Sequence, residues 1–115
     1  MLYQLNGISP RLGNGVFIAD NASVIADVRL GDDSSIWFGA VLHGDINYIE
    51  IGYGSNIQDL YICHTSHTAP LIIGADVTVD HSAQLHSCII EDYCLIGIGA
   101  IALDGAVIGA GSIIA

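Results

Sequence analysis

Five histidines, His43, His64, His67, His81 and His86, are the residues of this 115-residue chain best suited to chemistry near neutral pH. A neutral imidazole is a good ligand for a borderline divalent metal, and three imidazoles with an open fourth position make a catalytic site rather than a closed structural one. Beside them stand groups able to orient a reacting molecule: Asp45, two places after His43, and the run Asn56-Ile-Gln58-Asp59. Cys63, Cys88 and Cys94 lack the paired spacing of a disulfide framework and the C-x-x-C of a zinc ribbon. They read as small buried hydrophobes in a reducing, cytoplasmic compartment. His67 falls in a stretch from Thr65 to Pro70 that breaks the pattern around it and reads as a surface loop.

A period of six supplies the frame that positions the other four histidines. An aliphatic residue recurs at Ile18, Val24, Leu30, Ile36 and Leu42, resumes after three extra residues at Ile51, Ile57 and Cys63, and resumes after four more at Ile73, Val79 and Leu85. One residue is then dropped, and the series continues at Ile90, Ile96, Ala102, Ile108 and Ile114. Four places after many of these stands something small or apolar, as at Ala22, Val28, Ser34, Ala40, Ser55, Val77, Ala83 and Cys94. Neither a helical period of 3.6 nor simple strand alternation produces this pattern. Hexads of this kind predict an all-β chain folded as a parallel β-helix, a triangular prism in which each coil of three hexads buries its apolar side by stacking on its neighbours. A small β-sandwich is the alternative, but its strands should alternate with period two. Glycine directly follows several of the aliphatic positions, at Gly31, Gly52, Gly74, Gly97 and Gly109. These are expected to turn the corners with positive φ.

In such a prism, equivalent residues of successive coils stack in columns about 4.8 Å apart. Cys63 and Leu85 are 22 positions apart, one coil plus the four-residue insertion, so His64 and His86 fall in one column. His43, 21 positions before His64, joins them through the three-residue insertion. His81 belongs to a different column, above Asp59, and is expected to project away from the other histidines. Two histidines of one chain and one of another then meet only across an interface, and a closed threefold ring repeats that meeting for every subunit.

Composition narrows the choice of function. Twelve acidic residues face two basic ones, Arg11 and Arg29, for a formal charge of −10, and 52% of residues are hydrophobic. One domain over residues 1–115 suits the length, while nucleic acid and anionic membrane surfaces make poor partners. The most apolar stretch, Leu95 to Ala115, contains Asp104 and regularly spaced glycines, which argues against a membrane helix. The start of the chain has no basic residues followed by an apolar run, so no secretory leader is expected. A hexapeptide acyltransferase must grip the phosphates of its donor with Lys or Arg, and this chain has no lysine.

The segments Gly39-Ala-Val-Leu-His-Gly-Asp45, Asn56-Ile-Gln-Asp59, His64, Val77-Thr-Val-Asp-His81 and Leu85-His-Ser-Cys88 resemble the γ-class carbonic anhydrases and their close relatives, over about Ile8 to Ile114. The resemblance implies a left-handed coil and a homotrimer with Zn2+, Fe2+ or Co2+ held between subunits. His64 and His86 would come from one chain and His81 from its neighbour, and the reaction would be hydration of CO2 to bicarbonate. It also implies that Gln58 orients the attacking hydroxide or the substrate, that Asp59 anchors the site, and that Asn56 lines the pocket.

Four departures stand out. His43 replaces the arginine that the family carries before Gly-Asp, so the expected interface ion pair to Asp45 is missing. Asp80, Ser82 and Ser87 replace glycines around the second and third histidines and are expected to crowd the site with polar groups. The acidic loop that supplies a proton shuttle in some members is not recognisable. The chain also stops one residue into a new hexad, without the family's C-terminal helix, as expected of a fragment. A non-catalytic trimeric scaffold that keeps a metal for structure is the competing reading.

Overall fold

The hexad residues line the inside of a prism. In a computed structural model describing residues 1–115, every aliphatic position from Val24 to Ile96 in the series above is buried. Ile18, Ala102, Ile108 and Ile114, toward the two ends, are partly buried and pack against the same core. The strands are short and parallel, and no helix is present.

The first face is a six-stranded sheet with Phe17–Ile18, Ser35–Ile36, Asn56–Ile57, Thr78–Val79, Leu95–Ile96 and Ile113–Ile114 in that order. The other two faces share a ten-stranded sheet, because Ser23–Leu30 and Val41–Ile51 are long enough to run around a corner. On the second face the first half of Val41–Ile51 pairs with Ile62–His64, which pairs with Gln84–His86 and then Ile101–Ala102. On the third face its second half pairs with Leu71–Ile73, followed by Ile89–Ile90 and Val107–Ile108. This is the parallel β-helix expected from the hexads, with the left-handed coil that the resemblance implies.

The insertions widen one corner, between the second and third faces. Ala26 pairs with Gly44 and Val28 with Ile49, so Asp27 alone stands opposite the residues from Asp45 to Tyr48. One coil on, the chain between His64 and Leu71 forms the loop expected there. Asn47 ties the two together: its backbone N–H donates to Thr65 Oγ1 at 2.9 Å and its side-chain amide to the carbonyl of His67 at 3.4 Å.

The glycines that follow the aliphatic positions do not adopt positive φ. Residues in the left-handed region lie two places further on, at Asp33, Gly54, Asp76 and Gly111. The glycines are needed for a different reason, the closeness of the next coil. A Cβ on Gly52 would stand 2.4 Å from the carbonyl carbon and oxygen of Gly74, a contact with backbone that cannot move aside alone. We expect Gly52→Ala to destabilise the fold by about 1–3 kcal/mol. Gly109→Ala, whose Cβ would meet only Glu91 Oε1 at 3.8 Å, should stay within about 0.5 kcal/mol of the parent. Urea unfolding of the two variants checks the contrast.

Tyr61 departs from the small-residue positions. It is fully buried, and its hydroxyl has no hydrogen-bond partner. Desolvation holds its phenol well above the ordinary value. Desolvation also raises the Cys63 thiol and pushes Cys88 up to about 11. Both sulfurs therefore stay protonated at neutral pH, and a thiol is a poor nucleophile compared with a thiolate. We expect Cys63 and Cys88 to resist an aromatic disulfide reagent at pH 8 in the native protein and to react fully in urea.

Candidate metal centre

The second face carries a ladder of imidazoles. His64 and His86 are register partners on adjacent coils, with ring centroids 5.3 Å apart, and His43 stands on the other side of His64 at the same 5.3 Å. All three point outward from strands whose alternate residues, Leu42, Cys63 and Leu85, fill the core. Pairing of Leu42 with Cys63, and of Cys63 with Leu85, sets this column. Each histidine is half-buried, open to a partner yet steadied by its neighbours.

His86 is oriented by a residue that the sequence patterns did not single out. Asp104 Oδ1 accepts a hydrogen bond from His86 Nδ1 at 2.5 Å. That bond from His86 holds the Asp104 carboxyl below the usual carboxylate range. An ionised carboxylate accepts and cannot donate, so in the neutral imidazole the ring proton belongs on Nδ1 and Nε2 carries the lone pair. The signal was available: Leu85 pairs with Ala102, so carrying the column count one coil further puts Leu103 and Asp104 beside His86 and Ser87.

Asp45, at the start of the bulge, lies with its Oδ1 3.3 Å from His64 Nε2. Ligand atoms of His43, Asp45 and His64 all fall within 4.8 Å of one another. The carboxylate left without the family's arginine thus stands against imidazoles of its own chain.

His81 is not part of this ladder. It sits at the corner between the first and second faces, exposed, with its backbone N–H donating to Asp80 Oδ1 at 2.8 Å. Asp59 belongs to the same corner one coil earlier, where its carbonyl accepts from Ser82 N–H at 3.0 Å. On the adjoining first face, Gln58 Nε2 donates to Asn56 Oδ1 at 2.8 Å, and Asn56 Nδ2 donates to Thr78 Oγ1 at 3.0 Å. The Gln58 carbonyl oxygen remains available to accept from another group. One chain therefore presents two sets of polar residues flanking a corner: His43, Asp45, His64, His86 and Asp104 on one side, and Asn56, Gln58, Asp59 and His81 on the other.

The serines that stand for glycine behave differently from each other. Both adopt positive φ, 59° at Ser82 and 43° at Ser87, which explains why glycine suits these positions. Ser87 is buried and does not crowd the histidines. Its hydroxyl donates to Ala69 O at 2.8 Å and accepts from Ser66 N–H at 2.7 Å, pinning the loop after His64. Ser82 stays exposed beside His81.

Residues 9–44 match the family model described as bacterial transferase hexapeptide (six repeats). The chain is 48% identical over 106 residues to gamma carbonic anhydrase 2, mitochondrial, of Arabidopsis thaliana, covering 87% of this chain and 38% of that one. It is 45% identical over 111 residues to a carbonic anhydrase of Geobacillus kaustophilus, covering 96% of this chain and 61% of that protein. Among solved structures, a hexapeptide transferase family protein from Anaplasma phagocytophilum superposes with a TM-score of 0.84 at 39% identity, over 99% of this chain and 70% of that one. The chain thus spans less than two thirds of these two carbonic anhydrases. Coils, histidine spacing and these similarities agree: the chain belongs to the γ-carbonic-anhydrase-like family of hexapeptide-repeat proteins.

Proposed function

We propose that this chain forms a homotrimer that hydrates CO2 reversibly to bicarbonate and a proton, at three metal centres each shared between two subunits. The supporting observation is the separation of His81 from the His64–His86 pair across a prism corner. A second prism lying alongside can join the two sets, and threefold closure joins all of them. Zn2+, or Fe2+ or Co2+, suits three imidazoles, because all accept neutral nitrogen donors. The fit is favourable at His86, where Asp104 occupies Nδ1 and leaves Nε2 as the donor atom. When bound, the ion supplies Lewis acidity and brings the pKa of a water molecule toward neutrality.

The remaining roles belong to the chain's own side chains. Gln58, held by Asn56, offers its carbonyl oxygen to the O–H of the attacking species and so fixes the direction of its lone pair. Asp59 and His81 share a corner column, so movement of one backbone carries the other. CO2 is neutral and needs no cationic clamp, and the charge of −10 opposes retention of the anionic product. Arg29 lies on the third face, tied to Asp27 at 3.2 Å and stacked 4.0 Å over Tyr48. Arg11 stands beside it in register. Neither reaches the histidine ladder, which disfavours an acyltransferase that must hold donor phosphates there.

Stopped-flow CO2 hydration with the Zn2+-loaded protein tests this reading. We expect activity that chelation removes and Zn2+ restores, and that His81→Ala abolishes in an assembly still trimeric by sedimentation. A trimer that binds Zn2+ without hydrating CO2 would instead support the scaffold reading, and full activity in the His81→Ala variant would overturn the shared site. Asp104→Asn should weaken Zn2+ affinity about 10- to 100-fold. Because the Asp104 pKa is lowered in the fold, its support for His86 is present above the ordinary carboxylate range and fades as pH falls through the folded value. Zn2+ titrations at successive pH values, with 15N shifts of the His86 ring, check both statements.

A further inference from the structure

We infer that His43, Asp45 and His64 form a position for a divalent transition-metal ion contained within a single chain. Their ligand atoms lie within 4.8 Å of one another, a spacing that a single ion can bridge with little movement. Asp45 Oδ1 is already 3.3 Å from His64 Nε2, and the His43 and His64 rings meet edge to face at 80°. These are two imidazoles and one carboxylate, the donor set that suits Zn2+, Co2+ or Fe2+ and leaves coordination positions open.

The backbone prepares this arrangement. Strict alternation sets His43 and Asp45 on the same outward side of the strand with Gly44 buried between them, and the register shifts only after Gly44. Gly44, between His43 and Asp45, packs so closely that a Cβ there would stand 2.6 Å from the Asp27 carbonyl oxygen. The segment carrying both ligands is therefore held against the preceding coil. Neither arginine compensates the Asp45 carboxylate: Arg11 and Arg29 pair with Asp27 instead.

Where the shared centre proposed above also uses His64, the two positions compete for that imidazole, a consequence that rests on the trimeric reading. The position needs only one chain and so stands apart from the trimeric reading proposed above. Its particular basis is His43, where an arginine could not ligate.

Co2+ titration of the His81→Ala variant tests the inference, since His81 is a corner residue whose side chain is 49% exposed and takes no part in the core. We expect about one Co2+ per chain, with paramagnetic shifts in the ring signals of His43 and His64. Adding His43→Arg, or separately Asp45→Asn, should weaken Co2+ binding by at least about tenfold, as loss of a direct ligand should cost no less than loss of its hydrogen-bonded support. Shifts at His86 in place of His43, or unchanged affinity in both added variants, would overturn the proposal. These readouts come from a variant without His81, so they are independent of whether the parent hydrates CO2.

Discussion

The interaction on which everything else depends is the parallel ladder between successive coils. Backbone N–H groups donate to carbonyls of the adjacent coil, as from Gly52 to Ile73 and from Gly74 to Ile90, each at 2.8 Å. No coil is stable alone, because its apolar side has nothing of its own to pack on and its edge groups would be unpaired. Stacking solves both problems together and fixes register as a by-product. A slip of one residue would turn Cys63 and Leu85 outward and His64 and His86 inward, trading two buried apolar side chains for two buried imidazoles. The energetic demand for an apolar interior is therefore also what keeps the imidazole column straight.

A narrow interior restricts what can fill it. Alanine, serine and valine occupy most corner positions, and Ala22, Ala40, Val77 and Ala83 are wholly buried. Tyr61 is the exception. Burying its ring contributes a favourable term of a few kcal/mol, while its unpaired hydroxyl costs about 1–3 kcal/mol. A phenylalanine would keep the first term without the second, so nothing in the core explains the hydroxyl.

Much of this was legible beforehand, because a β-helix converts spacing directly into position. The columns joining His43, His64 and His86, and Asp59 with His81, follow from counting, and they hold across both insertions. What spacing does not reveal is the backbone conformation at a glycine or the reach of a side chain. Spacing alone makes Gly52 a φ > 0 corner, whereas the constraint is a carbonyl of the next coil against the missing Cβ. Residue type alone has Ser87 crowding the histidines, but at positive φ its hydroxyl meets Ala69 and Ser66 instead. Spacing leaves Asp104 unmarked because the dropped residue after Leu85 shifts it out of direct register with His86, and only side-chain reach closes the gap.

Under the proposed shared centre, the same geometry makes assembly a requirement. Columns in a prism run parallel to its axis and do not converge, so a residue at one corner keeps its distance from a ladder on the neighbouring face in every coil. Lengthening the chain by further coils would extend both columns without bringing them together. Loops could join them only by leaving the prism, and the two widened turns here, at Asp45–Tyr48 and Thr65–Pro70, lie at the corner remote from His81. In the proposed trimer, a parallel prism set alongside is the economical way to bring His81 toward His64 and His86. By contrast His43, Asp45 and His64 come together within one chain, because His43 and Asp45 leave one strand on the same outward side and His64 stands beside them on the next coil. Replacing the family's arginine by His43 therefore changes the character of this end of the ladder, from a fixed cation facing a carboxylate to a set of donors that a cation can bridge.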